Sequence, residues 1–199
     1  MGSTASYFEK RVPEAWNERL AEQEARGPEG AELLAKMRAA DFALEVEIAE
    51  GDRFHLRVSG GSMRAATTVD PKPVVTLGLS EADCTRLEQS VGASPMSLLG
   101  GVAGNADFVL TPARLDLLRE IQGTMRLEVQ GEAPWGVVLH FGAPPIPAAT
   151  TTVAIGDETF AQLLAGELDL QGAFMSGKLD LGGNVEVPMK MAMAIMSPE

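Results

Sequence analysis

The residues that could perform catalysis are few and poorly placed for it. The chain holds two histidines, His55 and His140, and strand alternation puts each out of phase with its apolar neighbours. That phase points them towards solvent, although Val138 shares the face of His140. Residues Gly60 to Arg64 lack the closing glycine of a nucleophile elbow. The pattern therefore argues against a triad of serine, histidine and acid.

Metal and nucleotide sites are equally weakly indicated. One cysteine, Cys84, forms no internal disulfide, and with the two histidines it gives no zinc-ligand spacing. Cys84 falls in a predicted helix, where a buried, inert thiol is the ordinary interpretation. Residues Gly100 to Gly104 form neither a Walker loop nor a dinucleotide fingerprint, so a tight turn explains them. We predict no catalytic residue, no metal site and no cofactor.

The strongest functional signal lies near the end of the sequence. Four of the ten methionines fall between Met189 and Met196, on a predicted helix that follows a short strand around Lys178 to Leu181 and a Gly-Gly-Asn turn. Methionine is unbranched and polarisable, so a cluster of it can repack around guests of different shape. The spacing alone leaves two interpretations open: ordinary core methionines, or a cavity for an apolar guest.

The order of elements in this region resembles a known family. Phe160 to Gly166 and Ala173 to Leu179, followed by the strand, the turn and the apolar helix, resemble the sterol carrier protein type 2 family, most closely over about Val153 to Met196. Members of that family bind sterols, fatty acids and acyl-CoA esters in an apolar tunnel that the last helix partly covers. The resemblance implies a lipid carrier and not an enzyme. It also implies an α/β (α+β) fold, with a mixed, mostly antiparallel sheet covered by helices.

A set of apolar side chains is expected to converge between this sheet and its helices. The resemblance covers the members from Phe160 to Met193, and strand alternation adds Trp135. An acyl chain buried there gains roughly 0.8 kcal/mol per methylene, which after ordering costs is consistent with micromolar affinity. The predicted ligand-binding residues are Trp135, Phe160, Leu163, Leu164, Phe174, Met175, Leu179, Leu181, Met189 and Met193.

The chain also shows one strand and helix pattern twice. Val75 to Leu79 and Thr151 to Ile155 are alternating strands, each preceded by a predicted hairpin and followed by an acidic helix start. We therefore predict an internal duplication. Its parts are N-terminal helices at 1–40, a degenerate sterol-carrier-like repeat at 41–121 and a lipid-binding repeat at 111–199, with helix 111–121 shared.

Several segments depart from the family pattern or lie outside it. The third strand of repeat two is replaced by the proline-rich residues Gly142 to Ala148, which predict a loop or a cavity rim because proline cannot donate into a strand ladder. Repeat one lacks the Ala-Phe-Met-Ser-Gly-Lys-Leu sequence and is interpreted as a structural half. Residues Ala5 to Ala25 and Pro28 to Ala40 read as amphipathic helices that cover the sheet or form an arm to a partner.

Charge and hydropathy restrict the partners. The net charge of -12 opposes binding to nucleic acid and to anionic membranes, which leaves neutral lipid or basic partners. The sequence shows neither a secretory signal nor a run of about 20 apolar residues, so we predict a cytoplasmic protein with at most transient membrane contact. Met1 to Ser6 fits a myristoylation pattern that chance also produces. The alternative function is a protein-interaction or accessory module, or a homodimer, whose cavity is filled by its own side chains.

Overall fold

A computed structural model describes residues 3–67, 72–92 and 109–197, and these form one eight-stranded sheet with its helices. The strands are β1 Phe42–Ile48, β2 Arg53–Ser59, β3 Ser62–Ala66, β4 Val75–Leu79, β5 Gly123–Gln130, β6 Trp135–Phe141, β7 Thr151–Gly156 and β8 Leu179–Gly183. The helices are α1 Ser3–Ser6, a π-helical turn Tyr7–Arg11, α2 Val12–Ala25, a 3-10 turn Gly27–Gly30, α3 Ala31–Ala39, α4 Glu81–Val91, α5 Pro112–Arg119, α6 Asp157–Leu164, α7 Leu170–Met175 and α8 Glu186–Met196.

The sheet is mixed and mostly antiparallel, as predicted. Its strand order is β3-β2-β1-β4-β6-β5-β7-β8. Only the pairs β1/β4 and β5/β7 are parallel among these neighbours. Each parallel pair joins the first strand of a hairpin to the strand that leads into a helix. The two halves of the chain thus repeat a pairing pattern, and the duplication itself stays a prediction.

The halves of the sheet meet between β4 and β6. These strands pair antiparallel, with Leu77 opposite Leu139. Within the described residues the proline-rich segment after β6 carries no strand, as predicted, and β4 occupies the open position beside β6. Ile146 of this segment lies over β4. A Cβ atom added to Gly78 would come 3.4 Å from the Cδ1 atom of Ile146. The loop therefore covers one face of the sheet at this junction.

The apolar positions of the strands face one side and are covered by helices. Val46, Leu77, Leu139 and Met125 are successive neighbours across the register, so their side chains share this inner face. Val46 and Met125 are buried, and the other two are partly buried and packed against the core. The inner face holds the hydrophobic core of both halves.

The N-terminal helices cover the sheet, which is the first of the two predicted roles. Phe8 stacks on Phe54 of β2 with ring centroids 5.5 Å apart, and Trp16 meets Phe42 of β1 edge to face at 5.9 Å. The indole Nε1 of Trp16 also donates a hydrogen bond of 2.7 Å to the carbonyl oxygen of Gly61. These contacts fix α2 against β1 to β3.

Candidate functional site

An aromatic pair marks the centre of the predicted ligand site. Trp135 begins β6 and Phe160 lies on α6, and their rings meet edge to face with centroids 5.5 Å apart. Both side chains are buried, as is that of Leu163 one turn later on α6. The spacing of Phe160, Leu163 and Leu164 keeps one side of α6 on the sheet. The inner face and α6 thus bring together the predicted residues that are most apolar and most enclosed.

Three further predicted residues lie at the margin of this group. Leu164, Leu179 and Leu181 are partly buried and pack against the same core. The edge strand β8 places Leu181 opposite Val153 and Leu179 opposite Ile155 of β7, so both leucines share the inner face with those residues. Six of the ten predicted residues therefore surround or adjoin the aromatic pair.

The other four predicted residues lie on the surface in this structure. Phe174 is 55% exposed and Met175 is 77% exposed, because α7 buries Ala173 instead. Met189 and Met193 are 58% and 70% exposed on the outer side of α8. These four side chains do not converge with the aromatic pair, so a role for them in ligand binding remains a proposal that requires movement.

The last helix is held to the sheet by residues that sequence reasoning missed. Val187, Ala194 and Ile195 are buried, and Met191 is partly buried against the core. A Cβ on Gly123 of β5 would come within 2.7 Å of the Val187 Cγ2 atom, so the backbone of β5 and α8 approach closely. The sequence carries no signal for this orientation, since α8 is apolar on nearly all sides.

The end of α8 is tied to α5. The Arg114 guanidinium donates to the carbonyl oxygen of Ser197 at 3.2 Å and to that of Val109 at 2.9 Å. Thr111 caps α5 by accepting a hydrogen bond from the Arg114 amide. A rigid capped helix thus holds the C-terminal end of α8.

His140 is buried, so the predicted exposure towards solvent is wrong. Its Nε2 atom lies 3.0 Å from the carbonyl oxygen of Ala143 and its Nδ1 atom 2.8 Å from Thr124 Oγ1. Because a carbonyl oxygen only accepts, Nε2 carries a proton and donates it to Ala143. The segment after β6 folds over the ring, which strand alternation could not reveal. This histidine supports the loop, and the Thr124 hydroxyl beside it is buried out of reach of a substrate.

The other polar features also lack a catalytic arrangement. Cys84 is buried, as interpreted from the sequence, and burial raises the pKa of its thiol. Across the described ranges, no three histidine, cysteine or acidic side chains gather closely enough to hold a metal ion. The helices seen in those ranges are all too short or too polar to cross a membrane.

A polar cleft of about 560 Å³ opens on the face of the sheet opposite the helices. Its charged lining includes Arg53, which pairs with Glu47 at 2.8 Å, and Arg126, which pairs with Glu128 at 2.8 Å. Val138 and Ile146 add the main apolar surface. The internal ion pairs make this cleft unlike a site for an alkyl chain.

Two known proteins are similar to this chain in sequence. The rat (Rattus norvegicus) sterol carrier protein 2 is 27% identical over 145 residues, which is 63% of this chain and 26% of the relative. The mouse (Mus musculus) peroxisomal multifunctional enzyme type 2 is 35% identical over 69 residues, which is 32% of this chain and 9% of that enzyme. This chain therefore spans about a quarter or less of the length of these relatives.

Similar solved structures share only a distant likeness. The solution structure of palmitated sterol carrier protein 2 like 2 from Aedes aegypti is 20% identical, with 58% of this chain and 92% of that chain covered and a TM-score of 0.33. A likeness at that score carries no argument here, and the fold rests on the sheet described above.

A family profile matches the C-terminal part of the chain. The SCP-2 sterol transfer family matches residues 106–196, a little under half of the chain, and this range includes the aromatic pair, α6 and α8. The match does not extend over residues 41–105, so the predicted second copy is not confirmed. Residues 106–196 of the chain are similar to the SCP-2 sterol transfer family.

Proposed function

We propose that this chain binds and carries a hydrophobic lipid, of the fatty acid, acyl-CoA or sterol-like class, without catalysing a reaction on it. The observation that carries the proposal is the enclosed pair of Trp135 and Phe160, which lies within the segment that the SCP-2 sterol transfer family model matches. The described core around this pair is built from hydrophobic side chains. Binding there is therefore a matter of excluding water from an alkyl chain.

The lipid would lie between the inner face of the sheet and helices α6 and α8. In this structure Trp135 is covered and 6% exposed, so a guest must displace some of the side chains that cover it. Met125 and Met191 adjoin the core and can repack, because an unbranched thioether adapts its shape at low cost. Movement of α8 would open the path, and Phe174, Met175, Met189 and Met193 would then contact the lipid during entry.

A second candidate is a protein-interaction or accessory module that has filled its own cavity. It is favoured by one observation, the close packing of Trp135, Phe160 and Leu163, which are 6%, 5% and 4% exposed. Mass spectrometry of an organic extract from natively purified protein separates the two functions. A stoichiometric lipid supports the carrier, and protein that stays empty after exposure to lipids supports the module.

The two tryptophans provide a matched test of where a lipid binds. Trp135 lies in the proposed site, whereas Trp16 lies on α2 over the other half of the sheet. A bromine-labelled fatty acid quenches tryptophan fluorescence only at short range. We expect strong quenching in the Trp16→Phe variant, which retains only Trp135, and weak quenching in Trp135→Phe, which retains only Trp16.

The controls separate binding from unfolding. Both variants must keep the circular dichroism spectrum of the natural chain, and the unbrominated fatty acid must leave the fluorescence of both nearly unchanged. Equal quenching of the two tryptophans would contradict a site at Trp135. Absence of quenching in all proteins, with no lipid in the native extract, would reject the carrier function.

A further inference from the structure

The outer side of α8 carries a stripe of exposed methionines. Met189, Met193 and Met196 are 58%, 70% and 49% exposed, and their spacing of four and three residues places them on one side of the helix. We call these three residues the outer methionine face. A helix that is apolar on both its inner and outer sides is normally covered on both. An exposed apolar stripe of this kind marks a surface that meets another apolar partner.

The charge near this face is balanced, unlike that of the whole chain. Lys190 pairs with Glu186 at 2.7 Å, one turn apart on the same helix. This pair sums to zero, whereas the whole chain carries a net charge of -12. Helix α8 thus presents the outer methionine face with no net charge of its own, on a strongly acidic protein.

The difference between an uncharged face and an acidic chain favours some partners for this face over others. A second copy of the chain would bring two charges of -12 together, and long-range repulsion opposes that association. An anionic bilayer is opposed for the same reason. A zwitterionic bilayer presents apolar chains below a surface without net charge, so it accepts the methionines without this penalty. Lys190 can extend its ammonium to the headgroups while its methylenes follow the apolar side chains.

We propose that the outer methionine face docks on the surface of zwitterionic lipid bilayers. The inference rests on the proposed lipid-carrying function and names the surface from which the lipid is taken. The same helix covers the core with Val187 and Ile195 on its inner side. Docking therefore places the helix that closes the proposed lipid site directly against the bilayer.

The test is co-flotation of the full chain with vesicles of phosphatidylcholine. We expect the natural chain to float with the vesicles, and the variant with Met189→Gln, Met193→Gln and Met196→Gln to partition about tenfold more weakly or worse. The variant with leucine at the same three positions keeps apolar side chains and should retain flotation. Leu117→Gln on α5 changes another exposed apolar residue, 38% exposed, and should leave flotation unchanged.

Vesicle charge provides the second readout. Adding phosphatidylserine should weaken flotation at low salt, and raising the salt concentration should restore it. Equal flotation of the glutamine and natural proteins, flotation only with anionic vesicles, or absence of flotation altogether overturns the docking proposal. So does methionine-dependent self-association, seen by sedimentation, without vesicle binding. Quenching of Trp135 by monomeric brominated fatty acid tests the carrier function separately, since it needs no vesicle.

Discussion

The close approach of α8 to the sheet predicts a strong coupling between Gly123 and Val187. Gly123 has φ of +133°, where an L side chain is strained, and its Cβ would come 2.7 Å from Val187 Cγ2. Strain at such a φ costs about 1 to 3 kcal/mol. Forcing an extra methyl into a packed contact costs about 1 to 3 kcal/mol more. Gly123→Ala should therefore lower the free energy of unfolding by about 2 to 6 kcal/mol.

A double-mutant cycle isolates the contact with the helix. Val187→Ala alone should cost about 2 kcal/mol, since this buried side chain loses its packing. In the double variant the Cγ2 atom is gone, so the new Cβ meets no obstacle there and only the backbone strain of Gly123→Ala remains. The loss should be smaller than the sum of the single losses by about 1 to 3 kcal/mol.

Urea denaturation followed by circular dichroism measures the free energy of unfolding of each variant. The comparison holds if the slope of that free energy against urea concentration stays constant across the variants. Gly51 is the matched control, because it has φ of +116° and nothing lies within 4 Å of its Cβ position. Gly51→Ala should cost only the backbone strain, and Val187→Ala should not relieve it. Additive losses at Gly123 and Val187, within about 0.5 kcal/mol, would refute the proposed contact between α8 and β5.

Two predictions concern titration. Tyr7 is the single tyrosine, its hydroxyl donates to the carbonyl oxygen of Gly92 at 2.8 Å, and burial raises its pKa above the ordinary 10.0. The phenolate absorbance should therefore appear at higher pH than in the urea-unfolded chain. The stability that comes from this raised pKa is complete below pH 10 and is lost as the pH rises further. Coincident titrations of the folded and unfolded chains would contradict the buried position. The hydrogen bond and charge of Lys190 lower the pKa of Glu186 below 4.5, so their stabilising contribution is complete above that pH and is lost as the pH falls through the lowered pKa. In an NMR titration, Lys190→Gln should raise the pKa of Glu186, and an unchanged value would show that the two side chains do not pair in solution.

The strands could be predicted from the sequence because each buries one face. Alternation of apolar and polar residues places β4 and β7 at Val75 to Leu79 and Thr151 to Ile155, close to their observed positions. The pairing of β4 with β6 is not readable in the same way, because it joins segments from different halves of the chain. Nothing in either strand alone distinguishes this partner from another edge.

The candidate site was predictable where one side of an element is apolar and the other polar. Phe160 and Leu163 follow that rule on α6, and they are buried beside Trp135. Helix α8 has no polar stripe to set its orientation, so the sequence could not tell that Met191 faces the core while Met193 faces outward. The burial of Val187, Ala194 and Ile195 on the inner side of the helix decides it.

The pairing of β4 with β6 matters for any fragment that contains only the segment matched by the family profile. A fragment that begins near residue 106 lacks β4, so the backbone donors and acceptors of Val138 to His140 that pair with it would be left open. Open ladders of this kind recruit other chains. Such a fragment would self-associate, and its aggregation would result from the absence of β4 and not from a property of the natural protein.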